Sequence, residues 1–423
     1  MRVQIPYKHT HLSVDIPEVN TPEVLCPVQH AGSGFDGTKL VEEALINPIQ
    51  SDLLEELSKG KKRVTIICSD HTRPVPSKYI IPPMLERIRK GNPNAEITLL
   101  IATGMHRPTT REELIAKFGI EIVEKERIYV HQSQDEDMLM EIGVLPSGAP
   151  LSINRLAVES DLLLSEGFIE PHFFAGFSGG RKSVHPGVCG YRTVLGNHCA
   201  KFISSPDART GNLKGNPIHE DMIAAAQMAK LRFIVNVVLD AEKNIVKAVA
   251  GHPEYAHAEG VEFLKNKCKV SPQKKGDIVI TSNGGAPLDQ NMYQAVKGLT
   301  AAEAAAAPDA VLIMCASCSD GSGGDDIYRA MKECSTVQML HEEIQLRAQD
   351  ETEPDQWETQ ILVRVLSKYR MILVCDESFK ATAKEMKLET ADTLEEALER
   401  ARKIKGETAH VVVIPDGVSV IVK

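Results

Sequence analysis

The segment Ser165–His198 reads SEGFIEPHFFAGFSGGRKSVHPGVCGYRTVLGNH, and the rest of the chain is interpreted around it. An apolar run leads into this segment and predicts a buried strand that ends in a loop. Gly176, Gly179 and Gly180 let the backbone turn sharply and approach a ligand closely. Because these glycines precede the basic pair Arg181–Lys182, the segment predicts a site for an anion or a cofactor.

Alternating strand and helix patterns before this segment predict an α/β protein. Apolar strands at Arg63–Cys68 and Glu96–Ala102 alternate with helical patterns at Lys78–Lys90 and Arg111–Phe118. This alternation predicts a mainly parallel sheet with right-handed crossovers. In such sheets, ligands bind beyond the carboxyl ends of the strands.

Three chemically capable side chains come just after predicted strands. They are Arg73, His106 and His172. The carboxyl ends of parallel strands meet at one edge of a sheet, so these side chains are expected to lie close together. The sequence therefore predicts a functional site at that edge.

The length of the chain predicts two α/β domains with an active site in the cleft between them. At 423 residues, the chain exceeds what one hydrophobic core normally serves. The polar, turn-rich segment Ser271–Gly276 predicts the boundary. We expect an N-terminal domain over residues 1–270, which carries the Gly-rich segment, and a C-terminal domain over residues 276–405. Residues 406–423 are expected to form a hairpin that can return to the first domain.

Composition excludes several functional classes. A net charge of −10 argues against a nucleic-acid surface and against binding to anionic membranes. No apolar run approaches the ~20 residues of a membrane span, and no signal pattern follows Met1. Nine cysteines without framework spacing predict reduced thiols in a cytoplasm. An acidic substrate must then be held by a local basic pocket.

Gly176–Ser183 comes close to the phosphate loop GxxxxGK[ST] but departs from it at a required position. Arg181 stands where the motif needs glycine, and the glycines follow a phenylalanine-rich segment instead of a strand. A nucleotide-hydrolysing loop is therefore disfavoured. The alternative that the loop contacts a cofactor or a phosphate in another way is retained.

One lysine and three histidines are candidates for chemistry, and each also has a plain structural interpretation. Lys182 is a phosphate contact, a nucleophilic amine that forms a covalent link, or a surface lysine without a role. His172 and His106 are either packed rings or general acid–base groups. His198, which follows Gly196–Asn197, is either a metal ligand or a helix cap.

The segment Asp289–Lys297 places Tyr293, Gln294 and Lys297 on one helical stripe. This stripe is either a solvated helix face or one wall of a cleft that faces the first domain. Trp357 is the only tryptophan, and core filling is its ordinary role. HExxH, paired CxxC and GxGxxG motifs are absent from the sequence, which disfavours a zinc hydrolase and a diffusible NAD site.

Long segments along the chain resemble the nickel-dependent lactate racemase family. The matching segments are SDHTRPVPS (69–77), ATGMHRP (102–108), SEGFIEPHFFAGFSGGRKSV (165–184), NH (197–198), ARTGN (208–212), NGGAPLDQNMYQAVKG (283–298), DQW (355–357) and IPDG (414–417). These motifs are distinctive, and the resemblance covers nearly the whole chain.

The resemblance implies a cofactor and an acid–base pair. The family's cofactor is a nickel pincer nucleotide, a pyridinium mononucleotide whose two sulfur-bearing arms grip nickel. The resemblance implies that Lys182 holds this cofactor covalently through a thioamide and that His198 completes the nickel coordination. It also implies that His106 and His172 are the paired acid–base residues.

The resemblance assigns roles to further residues around this centre. They are Arg73, Gln294 and Lys297 for orienting the substrate, Asp70 for support, Gly179 and Gly180 for contact with the cofactor, and Tyr293 and Trp357 as pocket walls. The implied reaction inverts C2 of a 2-hydroxy acid. The hydrogen at C2 is a poor acid, so its removal as hydride, while a base takes the hydroxyl proton, is the feasible route.

The implied substrate is lactate or a close relative, and the implied partners include the enzymes that assemble the cofactor. His185 and Pro171 depart from the aliphatic and small polar residues expected in the lactate enzymes, which keeps a larger or more polar 2-hydroxy acid open. Two other hypotheses are a phosphate-loop enzyme and a non-catalytic carrier of the nickel cofactor. Arg181 and the full histidine–lysine set argue against both.

Overall fold

The computed structural model describes residues 1–28 and 36–423. Its strands are β1 (Arg2–Tyr7), β2 (Thr10–Asp15), β3 (Glu23–Val24), β4 (Arg63–Ser69), β5 (Glu96–Ala102), β6 (Arg127–Val130), β7 (Leu139–Val144), β8 (Pro150–Asn154), β9 (Leu162–Phe168), β10 (Pro171–His172), β11 (Gly176–Phe177), β12 (Leu231–Leu239), β13 (Ile245–Gly251), β14 (Lys269–Val270), β15 (Gly276–Ser282), β16 (Ala306–Cys315), β17 (Arg370–Val374), β18 (Glu389–Ala391), β19 (Val411–Ile414) and β20 (Ile421–Val422). Its helices are α1 (Gly37–Ile46), α2 (Leu54–Ser58), α3 (Ser77–Gly91), α4 (Arg111–Phe118), α5 (Ile120–Lys125), α6 (Arg155–Val158), α7 (Tyr191–Asn197), α8 (Ala200–Ile203), α9 (Pro217–Met228), α10 (Pro253–Cys268), α11 (Met292–Ala305), α12 (Asp325–Glu333), α13 (Val337–Leu346), α14 (Gln356–Leu366), α15 (Glu377–Glu385) and α16 (Leu394–Lys405).

The first sheet has the strand order β13-β12-β9-β4-β5-β6. All its pairs are parallel except β12 with β13, which form an antiparallel hairpin. Every residue of β9 is buried, because this central strand is covered on both faces. The α/β prediction and the mainly parallel arrangement are therefore confirmed.

The second sheet has the strand order β18-β17-β16-β15-β19-β3, and all its pairs are parallel. Its edge strand β3 comes from the start of the chain. The hairpin β1–β2 packs on the same sheet, since Val3 and Ile5 share a core with Ile278 and Ile280. The structure thus places the described residues before 29 against the second sheet, although the predicted range 1–270 assigns them to the first domain.

The predicted hairpin over residues 406–423 is wrong. Strand β19 lies inside the second sheet and pairs in parallel with β15, while β20 pairs in parallel with β14. Asp416 makes the turn between them by accepting the backbone N–H groups of Val418 and Ser419. The last strand places Ile421 in the core around the first sheet. Among the described residues, none of the helices has the length and apolarity needed to cross a bilayer.

His131, just after β6, is fully buried and neutral. Its Nε2–H donates to the Cys189 carbonyl at 2.9 Å, and its Nδ1 lies 3.1 Å from the side-chain amide of Asn154. Burial lowers the pKa of His131 to about 4. Between about pH 6.5, the ordinary value, and pH 4, the unfolded chain binds a proton here that the folded chain does not bind. The free energy of unfolding therefore falls as the pH falls through this range.

The substitution His131→Gln is expected to flatten this pH dependence, because glutamine keeps a donor but does not titrate. The lost contribution between pH 6.5 and 4 amounts to about 3 kcal/mol. Urea unfolding of both proteins, compared between pH 7 and pH 5, checks this. Parallel pH profiles for wild type and variant would show that His131 does not contribute.

Candidate active site

A cavity of about 400 Å³ lies at the carboxyl ends of β4, β5 and β9, where α11 and α14 face the first sheet. We call it the central cavity. Most of the predicted site residues line it: Arg73, His106, His172, Gly179, Lys182, His198, Tyr293, Gln294, Lys297 and Trp357. Two predicted residues do not line it. Asp70 contacts His106, and the Gly180 N–H donates to Asn236 Oδ1 at 2.7 Å.

The His106 ring is held by Asp70. Its Nδ1 lies 2.7 Å from Asp70 Oδ2, and Asp70 Oδ1 accepts the Thr72 hydroxyl at 2.7 Å. Burial alone raises the pKa of Asp70, but the hydrogen bond and charge of His106, with the charge of Arg73, outweigh it and hold the pKa below its ordinary value. The ionised carboxylate fixes the proton of His106 on Nδ1. Nε2 is then the atom of His106 that accepts a proton.

His172, on β10, is kept as a neutral ring. It stacks on Phe173 with ring centroids 5.0 Å apart, and its Nδ1 accepts the Ala175 N–H at 3.3 Å. Its Nε2 lies 3.3 Å from Lys182 Nζ. Burial, and then the positive charges of Lys297 and Arg73, hold the pKa of His172 well below its ordinary value. A neutral imidazole is the form that can act as a base.

Lys182 lies in the 3₁₀ turn Gly180–Ser183 that follows the Gly-rich loop. Its Nζ lies 5.7 Å from the centroid of the Phe174 ring. Burial, followed by the charges of Arg181 and Arg73, holds the pKa of Lys182 well below its ordinary value. An uncharged amine in a cavity is a nucleophile.

His198 lies at the end of α7 with one ring nitrogen committed to the backbone. Its Nδ1–H donates to the Val194 carbonyl at 3.1 Å, so Nε2 carries the lone pair. The ring packs edge-on against Trp357, with centroids 4.9 Å apart. A histidine that binds a metal through Nε2 needs this tautomer, in which a carbonyl holds the proton on Nδ1.

The second wall of the central cavity comes from α11 and α14. Lys297 Nζ donates to Gln294 Oε1 at 2.5 Å, and Trp357 Nε1 donates to the Tyr293 hydroxyl at 3.2 Å. The N-terminus of α11 is fixed by Asn291, whose side chain accepts the Gln294 N–H at 3.0 Å. The stripe predicted on this helix therefore faces the cleft and not the solvent.

Three acidic residues that line the central cavity were not predicted as site residues: Glu166, Asp355 and Glu358. Glu358 is 1% exposed, and burial raises its pKa to about 8 against the opposing charge of Lys297. Burial also raises the pKa of Asp355. The sequence did carry a signal for Glu358, because this glutamate directly follows Trp357 in an otherwise apolar helical pattern.

The residues that depart from the family pattern lie outside the central cavity. His185 is 0% exposed, and neither ring nitrogen has a hydrogen-bond partner among the described residues. Pro171 is buried on β10, opposite Phe177. His71 also lies outside the central cavity, with its Nδ1 3.0 Å from the Thr109 hydroxyl.

Sequence comparisons connect this site to known enzymes. A family model described as the lactate racemase N-terminal domain matches residues 7–211, and one described as the lactate racemase C-terminal domain matches residues 271–422. A lactate racemase of Thermoanaerobacterium thermosaccharolyticum is 50% identical over 424 residues, which cover 100% of this chain and 99% of that protein. A lactate racemase of Lactiplantibacillus plantarum is 47% identical over 422 residues, with coverage of 100% and 99%.

Solved structures agree with the sequence matches. The lactate racemase apoprotein from Thermoanaerobacterium thermosaccharolyticum superposes with a TM-score of 0.97 at 49% identity and covers 100% of both chains. A Thermotoga maritima protein superposes with a TM-score of 0.67 at 19% identity, over 93% of this chain and 100% of that chain, and shares the fold. Taken with the fold and the site, these matches define an isomerase of the racemase class. The chain belongs to the lactate racemase family, as its motifs predicted.

Proposed function

We propose that the protein interconverts the enantiomers of a small 2-hydroxy acid, lactate or a close relative, by inversion at C2. One observation carries the proposal: two histidines and a set of cationic side chains line the same cavity. His106 and His172 follow different strands, β5 and β9, and therefore approach the central cavity from different positions. Racemisation needs one acid–base group for each enantiomer.

Local positive charges bind the substrate carboxylate, although the chain as a whole is acidic. Arg73 comes from the first sheet, and Lys297 comes from α11. Gln294, already the acceptor for Lys297 Nζ, keeps that ammonium in place and has an amide group left for the hydroxyl or the carboxylate. Charge-assisted hydrogen bonds from two sides fix the orientation of C2.

The described residues fit a nickel pincer nucleotide better than a metal held by protein alone. They contain no group of three or more His, Cys, Asp or Glu side chains that could hold a metal ion. They do offer a single imidazole, His198, with Nε2 as the ligand atom, and a nearby amine, Lys182. A cofactor that brings the other nickel ligands itself matches this donor set. Once bound, such a group supplies an electron-poor acceptor for the hydrogen of C2.

Side chains of this protein then take up the hydroxyl proton and return it. With one enantiomer bound, the Nε2 atom of His106 takes that proton while Asp70 stabilises the imidazolium that forms. With the other enantiomer, the neutral ring of His172 takes it at Nδ1, the nitrogen without a proton, which then gives up its 3.3 Å contact with the Ala175 N–H. The planar 2-keto acid regains its hydrogen on either face, and a histidine returns the proton. Phe173 and Phe174 exclude water from this exchange on one side.

The substrate class is tested with protein produced beside the cofactor-assembling enzymes and nickel. Each lactate enantiomer is incubated separately, and chiral chromatography follows the approach to an equal mixture from both sides. His185 and Pro171 do not line the central cavity, so neither side chain adds a polar contact there for a more polar acid. A turnover at least tenfold faster with another 2-hydroxy acid than with lactate would overturn the lactate assignment.

The substitution Lys297→Met is expected to raise the KM for lactate about 10- to 100-fold, because a hydrogen bond to a charged group contributes about 1.5–3 kcal/mol. Steady-state kinetics in both directions measure this change. The exposed Lys201, replaced by methionine, is the matched control and is expected to keep the wild-type KM. An unchanged KM in Lys297→Met would exclude a contact between this ammonium and the carboxylate.

A further inference from the structure

Arg181, the residue that breaks the phosphate-loop pattern, is a fully buried cation beneath the Gly-rich loop. It is 2% exposed. Its Nη1 donates to the Phe177 carbonyl at 2.8 Å and to the Gly179 carbonyl at 3.3 Å, and its Nη2 donates to the Ala175 carbonyl at 2.7 Å. No carboxylate of residues 1–28 or 36–423 pairs with it, and burial is the one influence that lowers its pKa, to about 9. A buried guanidinium without a counter-ion is costly, which points to a function.

The carbonyls that Arg181 holds belong to the loop between His172 and Lys182. Ala175 links the two ends of this loop: its carbonyl accepts from Arg181, and its N–H donates to His172 Nδ1 at 3.3 Å. The neutral ring of His172 then carries its proton on Nε2, which lies 3.3 Å from Lys182 Nζ. An N–H group facing an ammonium would set two donors against each other. This geometry therefore requires an uncharged amine on Lys182, which accepts from His172.

The charges around Lys182 point the same way. After burial, Arg181 is the largest influence that lowers the pKa of Lys182. The charged groups that act on Lys182 are Arg181, Arg73 and Lys297, which are cationic, and Glu170, which is anionic. The neutral rings of His172, His185 and His198 are its other titratable neighbours.

We propose that Arg181 is a positioning residue for Lys182. The buried charge of Arg181 keeps the Lys182 amine uncharged, and its hydrogen bonds to the loop carbonyls keep that amine directed into the central cavity. The inference rests on the proposed function and on the thioamide link that the family resemblance implies, for which Lys182 would condense with a thiocarboxylic acid arm of the cofactor. In that condensation, an N–C bond forms, a C–O bond breaks, and the oxygen leaves as water with the amine proton. No oxidant or reductant is needed. Only the uncharged amine has the lone pair for this attack.

The test labels the cofactor-free protein with limiting acetic anhydride over a range of pH. Peptide mass spectrometry then follows the acetylation rate of Lys182 and of the exposed Lys201 as an internal reference. In wild type, Lys182 is expected to reach half-maximal reactivity at a lower pH than Lys201. Arg181→Met is expected to move the Lys182 midpoint upward by about one pH unit, which slows acetylation at neutral pH about tenfold.

A matched variant separates the charge from the loop geometry. Asn236→Ala removes the side-chain acceptor of the Gly180 N–H, which loosens the same loop and leaves Arg181 in place. This variant is expected to keep the wild-type midpoint. If Arg181→Met does not fold, Arg181→Gln, which keeps a donor for the carbonyls, carries the same expectation.

Two results would overturn the proposal. One is an unchanged Lys182 midpoint in a folded Arg181 variant, and the other is an equal shift in Asn236→Ala. The labelling needs neither cofactor nor substrate, so its outcome is independent of the racemase assay. If the Lys182 midpoint shifts as expected but the cofactor does not become attached to the protein, the result contradicts the proposed function and not the role of Arg181.

Discussion

Replacement of either His106 or His172 by alanine is expected to lower kcat for racemisation by about 10²- to 10⁴-fold, the range over which a positioned acid–base group accelerates a reaction. Each histidine serves one enantiomer, but neither substitution can leave a one-way enzyme. Enantiomers have equal free energies, so kcat/KM has to fall by the same factor in both directions. A large loss from each of the two single substitutions, in both directions, is therefore what a site that needs both histidines predicts.

The control for this prediction is His71→Ala. His71 follows the same strand end as Asp70 but contacts Thr109 outside the central cavity. Its replacement is expected to keep kcat within about twofold of wild type, as is usual away from a site. Chiral chromatography of timed samples measures all three variants. Near-normal turnover in His106→Ala or His172→Ala would contradict the acid–base assignment, whereas cofactor-loaded wild type without turnover would favour a carrier without catalysis.

The second large effect is expected from Lys182→Met. This variant lacks the amine proposed to condense with the cofactor, so its intact mass is expected to match the bare chain after production with nickel and the assembling enzymes. The wild-type protein is expected to carry an adduct of nucleotide size. Racemisation is expected to fall with the adduct, because an unattached cofactor is not held beside His172.

Lys214→Met is the matched control, since Lys214 is an exposed lysine in the loop after α8. Its adduct and activity are expected to equal those of wild type. If the wild-type mass is unmodified, while a known lactate racemase produced in the same host carries the cofactor, the cofactor is not covalently attached to this protein. An adduct that survives in Lys182→Met would move the attachment to another residue.

Much of the site could be predicted from local patterns. Arg73 and His106 were expected together because each follows a parallel strand, and the structure brings them to one cavity. The stripe of Tyr293, Gln294 and Lys297 was left open between a solvated face and a cleft wall. Helical spacing places residues on one face but does not say what the face meets, and the packing of two sheets decided it.

Contacts between distant parts of the chain could not be predicted. The pairing of β3 with β19 joins residues from opposite ends of the sequence, and a strand of two residues carries no periodicity. Glu358 was missed for a related reason. A single acidic residue in a helix normally faces solvent, and only the packing of α14 against α11 buries it.

The central claim is that the hydrogen of C2 does not exchange with water, while the histidines exchange only the hydroxyl proton. The most direct test uses the cofactor-loaded protein and L-lactate deuterated at C2, in ordinary water. Mass spectrometry of the D-lactate formed early in the reaction measures the deuterium at C2. The account predicts that the product keeps its deuterium. Loss of deuterium to solvent at the rate of racemisation would mean that a side chain removes this hydrogen as a proton, and would contradict the account.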